Sequence, residues 1–124
     1  PDWSRGLGDV YKRQIDNSIV ALLRMKTVEK SRLLTGMLVV PEYRGTGVGG
    51  ALLEHCTSKV FNDGDYCFAF SHLENYYAQH GFKTIESTEL PNSLKMAYLR
   101  YVESGKDLIP MQFITSRTSK GVVL

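Results

Sequence analysis

Leu33-Leu34-Thr35-Gly36-Met37-Leu38-Val39-Val40-Pro41-Glu42-Tyr43-Arg44-Gly45-Thr46-Gly47-Val48-Gly49-Gly50-Ala51-Leu52-Leu53 is the stretch on which the fold of this chain turns. Residues 33–40 are apolar and aliphatic, which suits a buried strand. Pro41 cannot continue a central strand. The next seven residues, 44–50, hold four glycines, and glycine lets another molecule come close to the main chain. From Val48 the apolar residues fall at Val48, Ala51, Leu52 and Cys56, which is helical spacing. A strand, a glycine turn and a helix start place a row of backbone N–H groups at a helix N-terminus. Such an end attracts anions.

Three glycine-rich designs compete for the identity of the anion. The nucleotide P-loop requires Gly-x-x-x-x-Gly-Lys-Ser/Thr, and no Lys or Ser/Thr follows Gly49-Gly50. The dinucleotide fingerprint Gly-x-Gly-x-x-Gly fails as well, because Gly47-x-Gly49-x-x leads to Leu52. The third design, Gln/Arg-x-x-Gly-x-Gly/Ala, is met by Arg44-Gly45-Thr46-Gly47-Val48-Gly49. On this motif and its Val-x-Pro-x-Tyr-Arg-Gly lead-in, the chain resembles the GNAT superfamily of acyl-CoA-dependent N-acyltransferases. The resemblance implies that Arg44, Gly45, Thr46, Gly47, Val48, Gly49 and Gly50 hold the pyrophosphate of acetyl-CoA as co-substrate. The competing reading is a glycine turn that binds nothing.

Upstream, 18–25 reads as a strand, 26–31 as a polar connection and 32–40 as its antiparallel partner. Gly36, in the middle of the second strand, marks a bulge or a close backbone approach. The resemblance implies that this strand splays from its neighbour and takes the pantetheine arm on its main chain. Leu38, Val39 and Val40 are the positions concerned, and Leu38 and Val40 also read as core residues. A free N–H around 38–40 is the candidate oxyanion donor.

Downstream, the helix from Gly47 should run to Lys59 or Val60, and Asn62-Asp63-Gly64-Asp65 is a turn. Residues 66–70 form a short apolar strand, parallel to the first through a right-handed crossover. A helix opens at Ser71 or His72 and stops at Gly81. A strand over 82–87, a helix from 91–93 to Gly105 and a last strand over 108–114 follow. The expected fold is α/β, an α+β mixed sheet of GNAT-like order: an antiparallel hairpin leading into a βαβ unit with splayed central strands, then a C-terminal strand-helix-strand.

Tyr76-Tyr77-Ala78-Gln79-His80-Gly81-Phe82 resembles the family's Tyr-x-x-x-Gly-Phe motif. The resemblance implies that Tyr77 is the catalytic general acid that protonates the departing thiolate. A tyrosine of ordinary pKa near 10 is protonated at neutral pH and suits that task. The plain alternative is a tyrosine packed on a helix face. Many members carry an asparagine seven residues before this tyrosine to bond the pantetheine. Here that position is Phe70, and the adjacent Ser71 is the candidate substitute. Glu42, Glu29 and His72 are weighed as general bases, and each reads better as a surface residue. Cys67 has no partner base that would make it a nucleophile.

At 124 residues this is one domain. A net charge of +2 is too mild to argue for nucleic acid or an anionic membrane. No apolar run reaches membrane-spanning length. Cys56 and Cys67 lack metal-ligand spacing and read as buried reduced thiols of a cytoplasmic protein. No metal is expected. Residues 1–14 show neither helical nor strand periodicity and read as a non-native or disordered arm. The domain then spans 15–115, and 116–124 is a tail. The resemblance also implies a strand and two helices ahead of the hairpin, so the chain reads as truncated at its N-terminus. The expected function is an N-acetyltransferase moving an acetyl group to a primary amine by direct attack in a ternary complex. The alternative is a non-catalytic acyl-CoA-binding or regulatory domain. Expected partners are a small-molecule or peptide amine and a second copy in a homodimer, with neither nucleic acid nor membrane.

Overall fold

The structure is a computed structural model that describes residues 3–5 and 10–115. The chain divides into two compact units, Pro1–Val60 and Phe61–Leu124. In the first, strands β1 (Trp3–Arg5), β2 (Val10–Ile15), β3 (Ser18–Val28) and β4 (Ser31–Val39) lie side by side, antiparallel throughout. Helix α1 (Val48–Lys59) packs on β3 and β4.

Residues 10–14, expected to belong to a structureless arm, form β2. The reason lies outside the segment. Asp16 and Asn17, at φ 51° and 65°, make a two-residue turn of the twist that closes hairpins, and Ile15 pairs with Ser18 across it. The turn and the long β3 set the pairing, so β2 needs no apolar pattern of its own. Residues 1–2, 6–9 and 116–124 lie outside the described residues. The β3–β4 hairpin is also tighter than its polar connection implied, with Lys26 opposite Leu33 and Val28 opposite Ser31.

The bulge expected in the second strand is present. Arg24 faces Gly36 and Met25 faces Leu34, so Thr35 is the extra residue, and its hydroxyl donates to the Arg24 carbonyl at 3.3 Å. The bulge divides β4. Before it, Leu33 and Leu34 are both buried; after it, Leu38 is 51% exposed. The expectation of a strand buried along its whole length, with Leu38 in the core, is therefore corrected. An extra residue shifts the alternation of faces, and a plain hydropathy reading does not register it.

The core of this unit is Val20, Leu23, Met25, Leu33 and Leu34 from the hairpin, with Leu52, Leu53 and Cys56 from α1. Leu52 and Leu53 are fully buried, and each contributes roughly 1.5–3 kcal/mol through removal from water.

In the second unit, β5 (Tyr66–Phe70), β7 (Leu108–Phe113) and β6 (Phe82–Thr84) form a sheet in the order β5-β7-β6, antiparallel at both joins. Helix α2 (Glu74–Ala78) packs on β5 and β6, and α3 (Asn92–Glu103) packs on β7. The third strand ends at Thr84 rather than 87, because Glu86 and Glu89 close a capping box on a 3-10 turn over Ser87–Glu89. Phe61, Phe82 and Phe113 meet with ring centroids 5.3–5.4 Å apart. This aromatic centre supports the end of α2.

Gly81 ends that helix at φ 96°, and a Cβ there would lie 2.8 Å from Phe113 Cε1. Gly81→Ala combines left-handed strain of about 1–2 kcal/mol with displacement of a packed ring. A loss of about 3 kcal/mol is expected, read as a lower urea midpoint. An unchanged midpoint would refute this account of the helix end.

Candidate functional site

The glycine stretch folds as read. A 3-10 turn over Pro41–Tyr43 follows β4, and the Tyr43 N–H bonds the Val40 carbonyl at 3.0 Å. Thr46 ties back to the Tyr43 carbonyl through both its N–H and its hydroxyl. Gly45 and Gly47 stand at φ 79° and 92°, a region that L side chains enter only with strain. Gly47 is the N-cap of α1, and no side chain caps the helix. The first intrahelical bond runs from the Ala51 N–H to the Gly47 carbonyl at 2.9 Å. The N–H groups of Val48, Gly49 and Gly50 precede it and have no acceptor within the helix.

A Cβ built on Gly45, Gly47 or Gly50 would meet nothing within 4 Å. The glycines here are not relieving crowding; they leave the main chain open to an incoming group. Uncapped donors, the positive helix end and an open face together fit a pyrophosphate.

The strand before the loop is more specific than the sequence was. The Val40 N–H bonds the Val20 carbonyl at 3.0 Å, and Leu38 lies opposite Leu22, Val39 opposite Ala21. Antiparallel pairing alternates the direction of the backbone groups. Val40 and Leu38 thus turn theirs toward β3, and Val39 turns its own away. Of 38–40, Val39 is the residue whose main chain is directed off the hairpin. Its carbonyl accepts from Arg44 Nε at 3.1 Å. Arg44, the first residue of the glycine motif, thereby holds the loop to the end of β4.

In the second unit, Tyr77 lies on α2 and is only 8% exposed. Its ring packs edge-on against Phe82 at 5.8 Å and Tyr76 at 5.4 Å. Burial holds the Tyr77 hydroxyl well above the ordinary tyrosine value, and the neighbouring Cys67 and Tyr76 add to the shift. The group is therefore protonated over the whole neutral range. Ser71 is committed: its hydroxyl donates to Asp107 Oδ2 at 2.5 Å and its N–H to the Asp107 carbonyl at 3.0 Å. Asp107 has no signature in the sequence, since only the pairing of β5 with β7 brings it to Ser71.

Phe70 is 47% exposed and stacks on His72, with centroids 6.0 Å apart. Glu29 occupies the β3–β4 turn at φ 55°, and Glu42 is exposed in the 3-10 turn. Burial pushes Cys56 and Cys67 up to about 12, so neither supplies a thiolate nucleophile near neutral pH. Among the described residues, no group of three or more His, Cys, Asp or Glu could hold a metal. No helix among them is long and apolar enough to cross a membrane.

The acetyltransferase (GNAT) domain family matches residues 8–84, a span that includes β2, the hairpin, the glycine loop and α2. No curated protein matches the chain. Among solved structures, it is similar to N-acetylglutamate synthase from Neisseria gonorrhoeae, complexed with coenzyme A and N-acetyl-glutamate. That likeness has 18% identity and a TM-score of 0.67, over 83% of this chain and 24% of that one. It is also similar to the ribosomal-protein-S18-alanine N-acetyltransferase of Escherichia coli, at 17% identity and a TM-score of 0.60, over 90% of this chain and 68% of that one. A third is the PaiA N-acetyltransferase of Thermoplasma acidophilum in complex with coenzyme A, at 19% identity and a TM-score of 0.55, covering 84% and 59%. The chain spans about a quarter of the Neisseria synthase. At such identities the likeness is one of fold, and it agrees with the α/β, GNAT-like architecture read from the sequence. With the family match covering more than half of its length, the chain belongs to the GNAT acetyltransferase family.

Proposed function

We propose that this chain binds acetyl-CoA and transfers its acetyl group to a primary amine, small-molecule or peptide, by direct attack in a ternary complex. The observation that carries the reading is the uncapped, open glycine turn at the start of α1, directly after a bulged strand. In this reading residues 44–50 hold the pyrophosphate through backbone N–H groups and the helix end. The bound thioester supplies the electrophilic carbonyl. Val39, turned away from β3, offers its N–H to the charge that develops on the carbonyl oxygen. Tyr77 gives its proton to the sulfur as the C–S bond breaks.

Ser71 contributes as an acceptor through its lone pairs, because its proton is directed at Asp107. No side chain is assigned as base: the amine attacks as the free base, having lost one proton to solvent, and the extra proton left on its nitrogen after attack also passes to solvent, from which the Tyr77 phenolate regains the proton it gave to the sulfur. The two buried, unpaired thiols accord with a reducing cytoplasmic setting.

The reading is tested by calorimetric titration with acetyl-CoA, together with thiol release measured against a panel of primary amines. Saturable binding with amine-dependent thiol release is expected. Binding without such release would instead support a non-catalytic acyl-CoA-binding domain, a reading favoured by Phe70 at the position of the family's asparagine. Absence of binding would remove both.

A further inference from the structure

Ser71 and Asp107 extend the β5–β7 ladder by one further pair. Phe70 stands opposite Leu108, and just beyond it the Ser71 N–H bonds the Asp107 carbonyl at 3.0 Å. Side chains alternate along β5. Phe68 and Phe70 take one face, where Phe68 meets Tyr98 of α3. Cys67 and Ala69 are buried on the other, where Cys67 neighbours Tyr77. The same alternation puts Ser71 on the face of Cys67 and Ala69. The stacking of His72 on Phe70 agrees, since it turns both rings to the opposite side. Ser71 thus lies on the Tyr77 side of β5, and four residues from Cys67 amount to roughly 13 Å along an extended chain.

Asp107 is anchored from both directions. Helix α3 ends on Gly105 at φ 98°. The Gly105 N–H bonds the Val102 carbonyl at 3.0 Å and the Lys106 N–H the Tyr101 carbonyl at 3.2 Å, the paired bonds of a Schellman end. Lys106 Nζ also lies 5.4 Å from the centre of the Tyr101 ring. On the other side, the Tyr98 hydroxyl donates to the Leu108 carbonyl at 2.9 Å. Between these fixed neighbours, Asp107 Oδ2 accepts the Ser71 hydroxyl at 2.5 Å. An ionised carboxylate has no proton to donate, so the hydroxyl proton must point at it. Ser71 Oγ then presents lone pairs, and no donor, to an incoming molecule. Ser71 is half-buried and Asp107 exposed, which leaves that oxygen open to a ligand.

This polarity selects what binds. The pantetheine arm of acetyl-CoA carries two amide N–H groups between the thioester and the pyrophosphate. An asparagine side chain both donates and accepts and can meet either end of an amide. The Ser71–Asp107 pair can meet only the N–H. Its offset along β5 from Cys67, beside which Tyr77 packs, sets it along the arm and away from the reacting carbonyl. We infer that Asp107 is a positioning residue: it fixes Ser71 as a one-way acceptor for an amide N–H of the pantetheine arm. The role depends on acetyl-CoA being the co-substrate.

Calorimetric titration with acetyl-CoA, and with two analogues in which one or the other pantetheine amide N–H is replaced by an ester oxygen, tests the role. One of the two esters should bind the unaltered chain about tenfold more weakly than acetyl-CoA, because its oxygen faces the Ser71 lone pairs with no proton between them. Ser71→Ala should abolish that difference. Asp107→Ala should abolish it as well, by freeing the Ser71 hydroxyl to turn and donate. Asp107→Asn keeps a partner for Ser71 but can donate to it, and should do the same with the fold undisturbed. A purely structural Asp107 would lower stability and leave the ratio of amide to ester affinity as it was. An ester penalty that is unchanged in both Asp107 variants, or absent from the unaltered chain at both amides, overturns the role of Asp107 while acetyl-CoA remains the ligand. An unaltered chain that binds no acetyl-CoA overturns the co-substrate and this role together.

Discussion

Gly47→Glu should bind acetyl-CoA at least ~100-fold more weakly than the unaltered chain. Three effects act in the same direction. Gly47 stands at φ 92°, so any side chain there strains the turn by about 1–2 kcal/mol. The turn in turn sets the direction of the Val48, Gly49 and Gly50 N–H groups. Hydrogen bonds to a charged group contribute about 1.5–3 kcal/mol each, and loss of one or two is enough for the stated factor. A glutamate carboxylate would also sit at the positive end of α1, where it competes with the pyrophosphate for the same donors.

Gly47→Ala separates strain from charge. It should weaken binding by a smaller factor, since it brings the strain without the competing anion. The Cβ position is open, with nothing within 4 Å, so neither substitution disturbs the core, and a stability loss of the strain alone is expected. Equal heats of binding for the Glu variant and the unaltered chain would sink the pyrophosphate assignment.

Tyr77→Phe should lower kcat by ~10²–10⁴-fold with little change in acetyl-CoA affinity, as expected when a positioned acid is removed. The aromatic ring that packs on Phe82 and Tyr76 is preserved, so loss of fold is not an available explanation for lost rate. The pH profile gives a second readout. An acid works while protonated, and burial, aided by Cys67 and Tyr76, raises the pKa of this hydroxyl above the ordinary tyrosine value. Any alkaline decline that Tyr77 imposes should therefore fall above pH ~10, the value for an unperturbed tyrosine. The decline at low pH belongs to the amine, which must lose its proton before it attacks. A Tyr77→Phe variant with full kcat would remove Tyr77 from the chemistry and leave it as a core residue.

Much of this was legible along the chain because it is local. The strand, glycine turn and helix succession of 33–53 is written in composition and spacing. The turns at Asp16-Asn17 and at Asn62-Asp63-Gly64-Asp65 are written in residues that tolerate or favour them, as is the Gly81 stop. Strand β2 was not legible, because a half-buried strand of mixed polarity is specified by the strand it pairs with and not by its own pattern.

The site divides along the same line. By itself the sequence determined that α1 begins on an open glycine end suited to an anion, since φ preferences and helix periodicity act within a few residues. It likewise placed Tyr77 on the helix that Gly81 terminates. Tertiary structure alone decided which main-chain group of 38–40 turns away from the hairpin, because that depends on register with β3 and on one extra residue at Thr35. It alone turned Ser71 toward Asp107, thirty-six residues distant in the chain, and raised the proton affinity of Tyr77 by surrounding it. Pairing and burial arise between segments far apart in sequence, and no local preference encodes them.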